Sequence, residues 1–433
     1  MLANCVEKFL GLTELARIEH PDLSVESGFQ DAVSFIWENW DGFLSVAQDP
    51  VFICWVGLLN DLICPHRGSL IAGNDVLCFF TSKHDQFACL KEHLEQFSIF
   101  AFATAVKTQT SFRPPKSVAV EFGWLPGIDR EYLSSPIGGD EKFHVISEVS
   151  NGIPIFDGQK RNGRRVPQVG SNGGSLSVHA NHPYFQLGHI ERWPRLMDYQ
   201  KREQFVGIVD DALSLIDELI PGLCQQSSII LKTCVPMTTE GITPMASGSY
   251  TRLNGSIFLA CSPQTELVAE MFIHEFCHNK LTLLEDVSPF FPSFSRSQFR
   301  HYSPWRDSLR SAEGVLHALF VHAEIARFWI CLYQYGKSSM PKDLIRRRVW
   351  TLLGQISMGA KGLEKTGEFT DTGKILLAAI VQPIDGWTEN FPPCCQDALP
   401  FFSEIKADSA LAGMNISQAL RSHKTAIFGS TPH

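Results

Sequence analysis

Apolar residues return at a helical spacing along the first ~110 residues, most clearly from Phe29 to Ala47 and from Gln86 to Phe97, and predict a helical N-terminal region. Between Phe112 and Arg195 that period dissolves into Pro-, Gly- and Ser-rich pieces, which predict loops with short strands. One of them, Val169-Gly170-Ser171-Asn172-Gly173-Gly174-Ser175, has the composition of an anion cradle but lacks the strand-Gly-x-Gly-helix context, so a plain loop is expected. Helical spacing resumes at Tyr199 and stops at Pro221-Gly222. Ile229-Ile230-Leu231 and Gly255 to Ala260 are then expected as short strands, the second leading into an apolar helix from Pro263 to about Leu284. A Pro/Phe/Ser-rich loop, Pro289 to Trp305, precedes a second apolar helix from about Ala312 to Tyr335, and further helices close the C-terminus. No internal repeat is visible.

Composition narrows the class. With 433 residues and 44% apolar content the chain has material for a real core. A net charge of −9 gives no electrostatic case for nucleic acid. The adjacent Arg346, Arg347 and Arg348 are expected on a solvated helix face. The 12 cysteines have no regular spacing and form no Cys-x-x-Cys pair, and the N-terminus lacks the order of a secretory signal. Reduced thiols in a cytoplasm are therefore expected. Phe52 to Leu59 and Phe97 to Val106 are too short for a membrane span, which needs ~18 apolar residues, and are expected as core segments.

The first apolar helix carries the chemistry. Ser262 followed by Pro263 predicts its start, and Glu266 falls in the first turn, where the dipole favours a carboxylate. Glu270, His274 and His278, spaced by four, share one face, so the two imidazoles can chelate one divalent ion. Their apolar neighbours (Leu267, Val268, Met271, Phe272, Ile273, Phe276) argue against a chance surface pair, and Glu275 completes a His-Glu-x-x-His motif. The second helix offers a third ligand. His317 and Glu324 lie seven apart on nearly one face, whereas His322 points about 140° from His317, so the two histidines are not expected on the same ion. Spacing does not choose between them; His317 is the expected third ligand, with His322 as the alternative. A zinc peptidase would use Glu275 as general base. The same ligands on Fe(II) would leave positions for a 2-oxo acid and dioxygen, with Arg306 or Arg310 to hold the distal carboxylate.

His274-Glu275-Phe276-Cys277-His278-Asn279-Lys280-Leu281, then Tyr302-Ser303-Pro304-Trp305-Arg306-Asp307, then Gly314-Val315-Leu316-His317 continuing to Phe328-Trp329, resembles the alpha-ketoglutarate-dependent HExxH-type peptide beta-hydroxylases of ribosomal peptide pathways. The resemblance is weaker over Ser247-Gly248-Ser249, Gly255 to Leu259, Glu270 and Leu363 to Ala379, where Phe369-Thr370-Asp371-Thr372-Gly373 looks like the start of that family's final helix. Cys277 stands where the family is expected to carry glutamine, and this chain has a histidine at both positions used for the third ligand.

The resemblance implies an Fe(II) enzyme that decarboxylates 2-oxoglutarate and hydroxylates a side-chain beta-carbon of a peptide. Glu275, like Glu270, would then orient a ligand or substrate, and Arg306 would hold the 2-oxoglutarate carboxylate unless it bonds Asp307 or a loop carbonyl. Tyr302 and Trp305 would pack the loop or line the cleft, and the segment Ser249 to Leu259 would offer its edge to an extended peptide. The expected architecture is α+β, predominantly α: a zincin-like motif helix beside a small sheet, with helical N- and C-terminal regions. Residues 1–200 would form the N-terminal region with its loop-rich connection, and 201–433 the metal-binding catalytic region. A zinc metallopeptidase and a non-catalytic, metal-containing peptide-binding partner are the alternatives. A peptide is the expected partner, with no nucleic acid and no membrane; the oligomeric state is not legible.

Overall fold

A computed structural model describes residues 2–19, 22, 27–63, 86–115, 117–121, 125–128, 130–131, 143–156, 159–160, 164–170, 176–179, 199–237, 246–292, 301–306, 308–336, 338, 340–364 and 369–392. The chain divides into two compact units, Met1–Asp210 with Ser227–Pro263, and Asp211–Gln226 with Gln264–His433. Helices predominate over small sheets, so the fold class is α+β, predominantly α.

The first unit opens with helices α1 (Leu2–Glu19), α2 (Phe29–Glu38), α3 (Trp40–Val46), α4 (Pro50–Ile63), α5 (Gln86–Gln96) and α6 (Ser98–Thr108). Their apolar stripes meet in an aromatic core in which Phe9, Phe43, Phe52, Trp55, Phe97 and Phe100 are buried. Phe52 to Leu59 lies within α4, and Ser98 to Val106 within α6 with Phe97 at its N-cap. The Pro/Gly-rich stretch forms short strands: β1 (Val118–Glu121), β2 (Arg130–Glu131), β3 (Phe143–Ser150), β4 (Ile153–Phe156), β5 (Gln159–Lys160), β6 (Arg164–Arg165), β7 (Gln168–Val169) and β8 (Leu176–Val178). The rest of the Gly-rich run, 171–175, lies outside the described residues.

Helices α7 (Tyr199–Leu219) and α8 (Leu223–Ile230) follow, then β9 (Thr233–Met237), β10 (Ser247–Gly248) and β11 (Ser256–Ala260). The expected strand at Ile229–Leu231 is corrected: Ile229 and Ile230 end α8, and the strand begins at Thr233. Three apolar residues carry no period, so helix and strand could not be told apart there.

One sheet runs β1-β3-β4-β5 and another β10-β11-β9-β8-β7. In the latter β9 pairs in parallel with both β8 and β11, and β9 and β11 are buried at every residue, as suits central strands. The expected peptide-binding edge is corrected as well: β11 lies between β10 and β9, paired with β9 along its length and with β10 at Phe258 and Leu259, so it is not an edge strand. Gly255 is no open approach either. Its φ of +102° and the Pro50 Cγ 3.0 Å from where a Cβ would stand make glycine a requirement.

The second unit holds α9 (Thr265–Val287), the hairpin β12 (His301–Ser303) and β13 (Ser308–Arg310), α10 (Ala312–Tyr335), α11 (Lys342–Glu364) and α12 (Asp371–Asn390). The motif helix starts at Thr265 after Gln264, so the start expected at Ser262-Pro263 is corrected: both residues precede the helix. Ser311 and Thr370 do cap, accepting the N–H of Gly314 and Gly373 at 3.1 Å each. By length and composition α10 could cross a membrane, yet Leu316, Leu319, Phe328 and Trp329 on it are buried.

Helices α9 and α10 run antiparallel. Along α9 the order Glu270, His274, His278, Glu285 meets Trp329, His322 and then His317 in descending order on α10. This places each of these four α9 side chains opposite a polar or aromatic partner.

Candidate metal centre

The one-turn spacing of His274 and His278 brings their Nε2 atoms to 3.2 Å. Two nitrogens about 2.0–2.1 Å from one ion, at angles of about 90–110°, stand about 2.9–3.4 Å apart, so the pair already has the spacing of a chelate. Burial, the leading cause, lowers both pKa values to about 4; Arg306 adds to that, while Glu270 and Glu275 oppose it at His274 and His278 respectively. The rings are therefore neutral at physiological pH, the state in which imidazole binds metal.

Both α10 histidines border the same cavity as this pair, a space of about 420 Å³. The expectation that His317 and His322 face apart is corrected: from the two flanks of α10, both line it. They are held differently. The His322 ring lies 5.6 Å from that of His274, is driven well below its ordinary pKa by burial, and donates Nδ1–H to the Ala318 carbonyl at 2.7 Å. That hydrogen bond fixes the tautomer and leaves Nε2 with its lone pair. His317 stacks on His278 at 5.8 Å, and its Nε2 stands 3.6 Å from Glu285 Oε2. Glu324 pairs with Arg327 at 3.5 Å and is not among the residues lining the cavity.

Arg306 and Arg310 line the cavity too. The sequence offered only a loop here; a hairpin forms, with Arg306 in its turn and Arg310 on β13. It is fastened to α11, where Gln355 Nε2 donates to the Pro304 carbonyl at 3.2 Å and Gly359 leaves room for the Trp305 ring, whose Cη2 lies 2.9 Å from a Cβ built there. Trp305 stacks on His322 at 4.8 Å, and its Nε1 is buried with no acceptor among the described residues.

The motif carboxylates occupy other ground. Glu275 is 2% exposed, is not among the cavity-lining residues, and sets Oε1 3.9 Å from His274 Nε2. Glu270 Oε2 accepts from Trp329 Nε1 at 2.6 Å and Arg348 Nε at 3.3 Å, and its Oε1 accepts from Arg348 Nη2. Arg348 is thus no solvated residue, and its reading as part of an exposed run is corrected: its side chain, 16% exposed, is drawn in by the Glu270 charge.

Glu285 and Glu313 were not singled out from the sequence. Each carried a faint signal, Glu285 seven after His278 and Glu313 four before His317, but only the helix pair brings them together. Compared with known proteins, the chain matches no protein-family model and no curated protein.

Proposed function

We propose that this chain is an Fe(II)- and 2-oxoglutarate-dependent oxygenase that hydroxylates a side-chain beta-carbon of a peptide, its iron held by His274, His278 and His322. The observation that carries this reading is one cavity bordered by the histidines and by Arg306 and Arg310, with Glu275 outside its lining. An arginine in a metal cavity suits a bidentate contact with a dicarboxylate. A hydrolase would instead need its general base facing the space where substrate and water meet.

The motif pair fits the ion implied, and the cavity arginines suit the dicarboxylate. The chelate spacing and neutral rings of the motif histidines suit a divalent ion, and the Nδ1–H···O=C bond of His322 presents its other nitrogen. Bound together, iron and 2-oxoglutarate supply the oxidation: the 2-oxo acid and dioxygen become succinate and carbon dioxide, and one oxygen atom enters the substrate C–H bond. The protein's part is placement. Arg306 or Arg310 takes the distal carboxylate, the buried Trp305 N–H is a donor available to an oxygen of the bound acid, and the Glu270–Arg348 pair anchors α9 one turn before His274. The peptide substrate rests on the resemblance of the motif, hairpin and second helix, and the cytoplasmic location on the cysteine usage.

One observation favours zinc hydrolysis as a second reading, the Glu275 carboxylate 3.9 Å from His274 Nε2. A test separates the two. Anaerobically purified protein given Fe(II), 2-oxoglutarate and air should form succinate above a His274→Ala control. No succinate together with tightly held zinc would overturn the oxygenase and make Glu275→Gln the next variant to assay for peptide cleavage. Metal without either turnover would leave the peptide-binding partner.

A further inference from the structure

Beyond His278, the antiparallel pairing of α9 and α10 brings Glu285 to the first two turns of α10, where Glu313 and His317 project. The ligand atoms of these three residues lie within 4.8 Å of one another. Donors about 2.0–2.2 Å from a common ion stand about 2.9–4.4 Å apart, depending on the angle, so small side-chain rotations close this group around one.

A second observation points to a ligand. His317 Nε2 is buried with no hydrogen-bond partner among the described residues, although the Glu285 carboxylate is 3.6 Å away. A buried imidazole nitrogen that faces a carboxylate without bonding to it is left unsatisfied, a cost that a cation shared with that carboxylate removes. The side chains are also sheltered, Glu285 at 11% and His317 at 18% exposure, so water does not replace that cation cheaply.

We infer that Glu285, Glu313 and His317 form a second divalent-metal site, separate from the ion assigned to His274, His278 and His322. Two carboxylates and one imidazole are the donor set of a first-row ion such as Mn(II), Fe(II) or Zn(II). Glu313 and His317 also line the cavity, so this ion opens onto the space that the first site faces. The inference gives each α10 histidine its own task and needs only that His322 complete the first site. It does not depend on the oxygenase chemistry.

The test counts Mn(II) bound to the full-length apo-protein, without 2-oxoglutarate, from the loss of the free-ion paramagnetic resonance signal. Wild-type protein should take up two ions. His274→Ala/His278→Ala should keep one, and Glu285→Gln and His317→Gln should each lose one while near-ultraviolet circular dichroism stays native. Should one variant fail to fold, the other carries the test, as does a Mn(II)-dependent rise in melting temperature of the His274→Ala/His278→Ala protein. Unchanged Mn(II) uptake in Glu285→Gln and His317→Gln overturns the site. So does unchanged uptake with weakened binding of a lysine-containing peptide, which would make the cluster an ammonium receptor. Succinate formation with single-ion uptake would reject this site and keep the oxygenase; two ions without succinate would do the reverse.

Discussion

An imidazole serves a metal only while its ligating nitrogen is unprotonated, and burial holds His274, His278 and His322 in that state. If His322 completes the first site, His322→Ala should reduce Fe(II) retention and succinate formation to the His274→Ala level. His317→Ala should leave both above it, as metal analysis and the succinate assay would show. Arg306→Met should raise the KM for 2-oxoglutarate by about 10- to 100-fold, the loss of a charge-assisted contact of about 1.5–3 kcal/mol, with little change in Fe(II) affinity. An unchanged KM would pass the carboxylate to Arg310. Glu270 is 4% exposed and paired with Arg348, so Arg348→Met leaves a buried carboxylate without its counter-charge. A loss of about 3–5 kcal/mol in denaturant unfolding is expected, with partial recovery in the Glu270→Gln/Arg348→Met double variant.

Among the elements, the antiparallel α9/α10 pair and the hairpin laid on α11 fix the cavity. Gly359 makes room for Trp305: an added methyl would lie 2.9 Å from the ring's Cη2 and 3.3 Å from Leu319 Cδ2. Gly359→Ala should therefore cost about 1–3 kcal/mol and disturb the Trp305–His322 stack, readable as a lower Tm and altered tryptophan fluorescence. Gly373→Ala, in the first turn of α12, sets its methyl against the Phe290 carbonyl oxygen. Since that obstacle is backbone, the loss of Tm should exceed that of Gly359→Ala. The caps Ser311 and Thr370 act within three residues of chain, and local spacing of that kind is what a sequence displays openly.

For the whole molecule, pH stability is informative at His93. Its Nε2–H donates to the Trp55 carbonyl at 2.9 Å, its ring stacks on Trp55 at 4.6 Å, and burial lowers its pKa from 6.5 to about 4. Between those values the unfolded chain takes up a proton that the folded chain refuses, so this stability is full above pH 6.5 and is lost as pH falls to about 4, by at most about 1.4 kcal/mol per pH unit. Asp49, raised by burial from 3.8 to about 6, acts in the opposite sense over an overlapping range, which is why the comparison must be with His93→Gln. That variant should be less stable at pH 7 yet lose less on acidification, as urea midpoints would show; parallel acid limbs would count against the assignment. By itself the sequence determined what a few residues of helix or turn can fix: the one-turn spacing of His274 and His278 on α9, the extents of α7 and α10, and the polar positions His317, His322 and Glu324 on α10. Only the tertiary structure decided which of those positions meet. Glu270 finds Trp329 and Arg348 across 59 and 78 residues, and the short run at Ile229–Leu231 took its conformation from α8 because it had no period of its own. Such pairings depend on how two elements are laid together in space, whereas spacing along one element is set by the backbone itself.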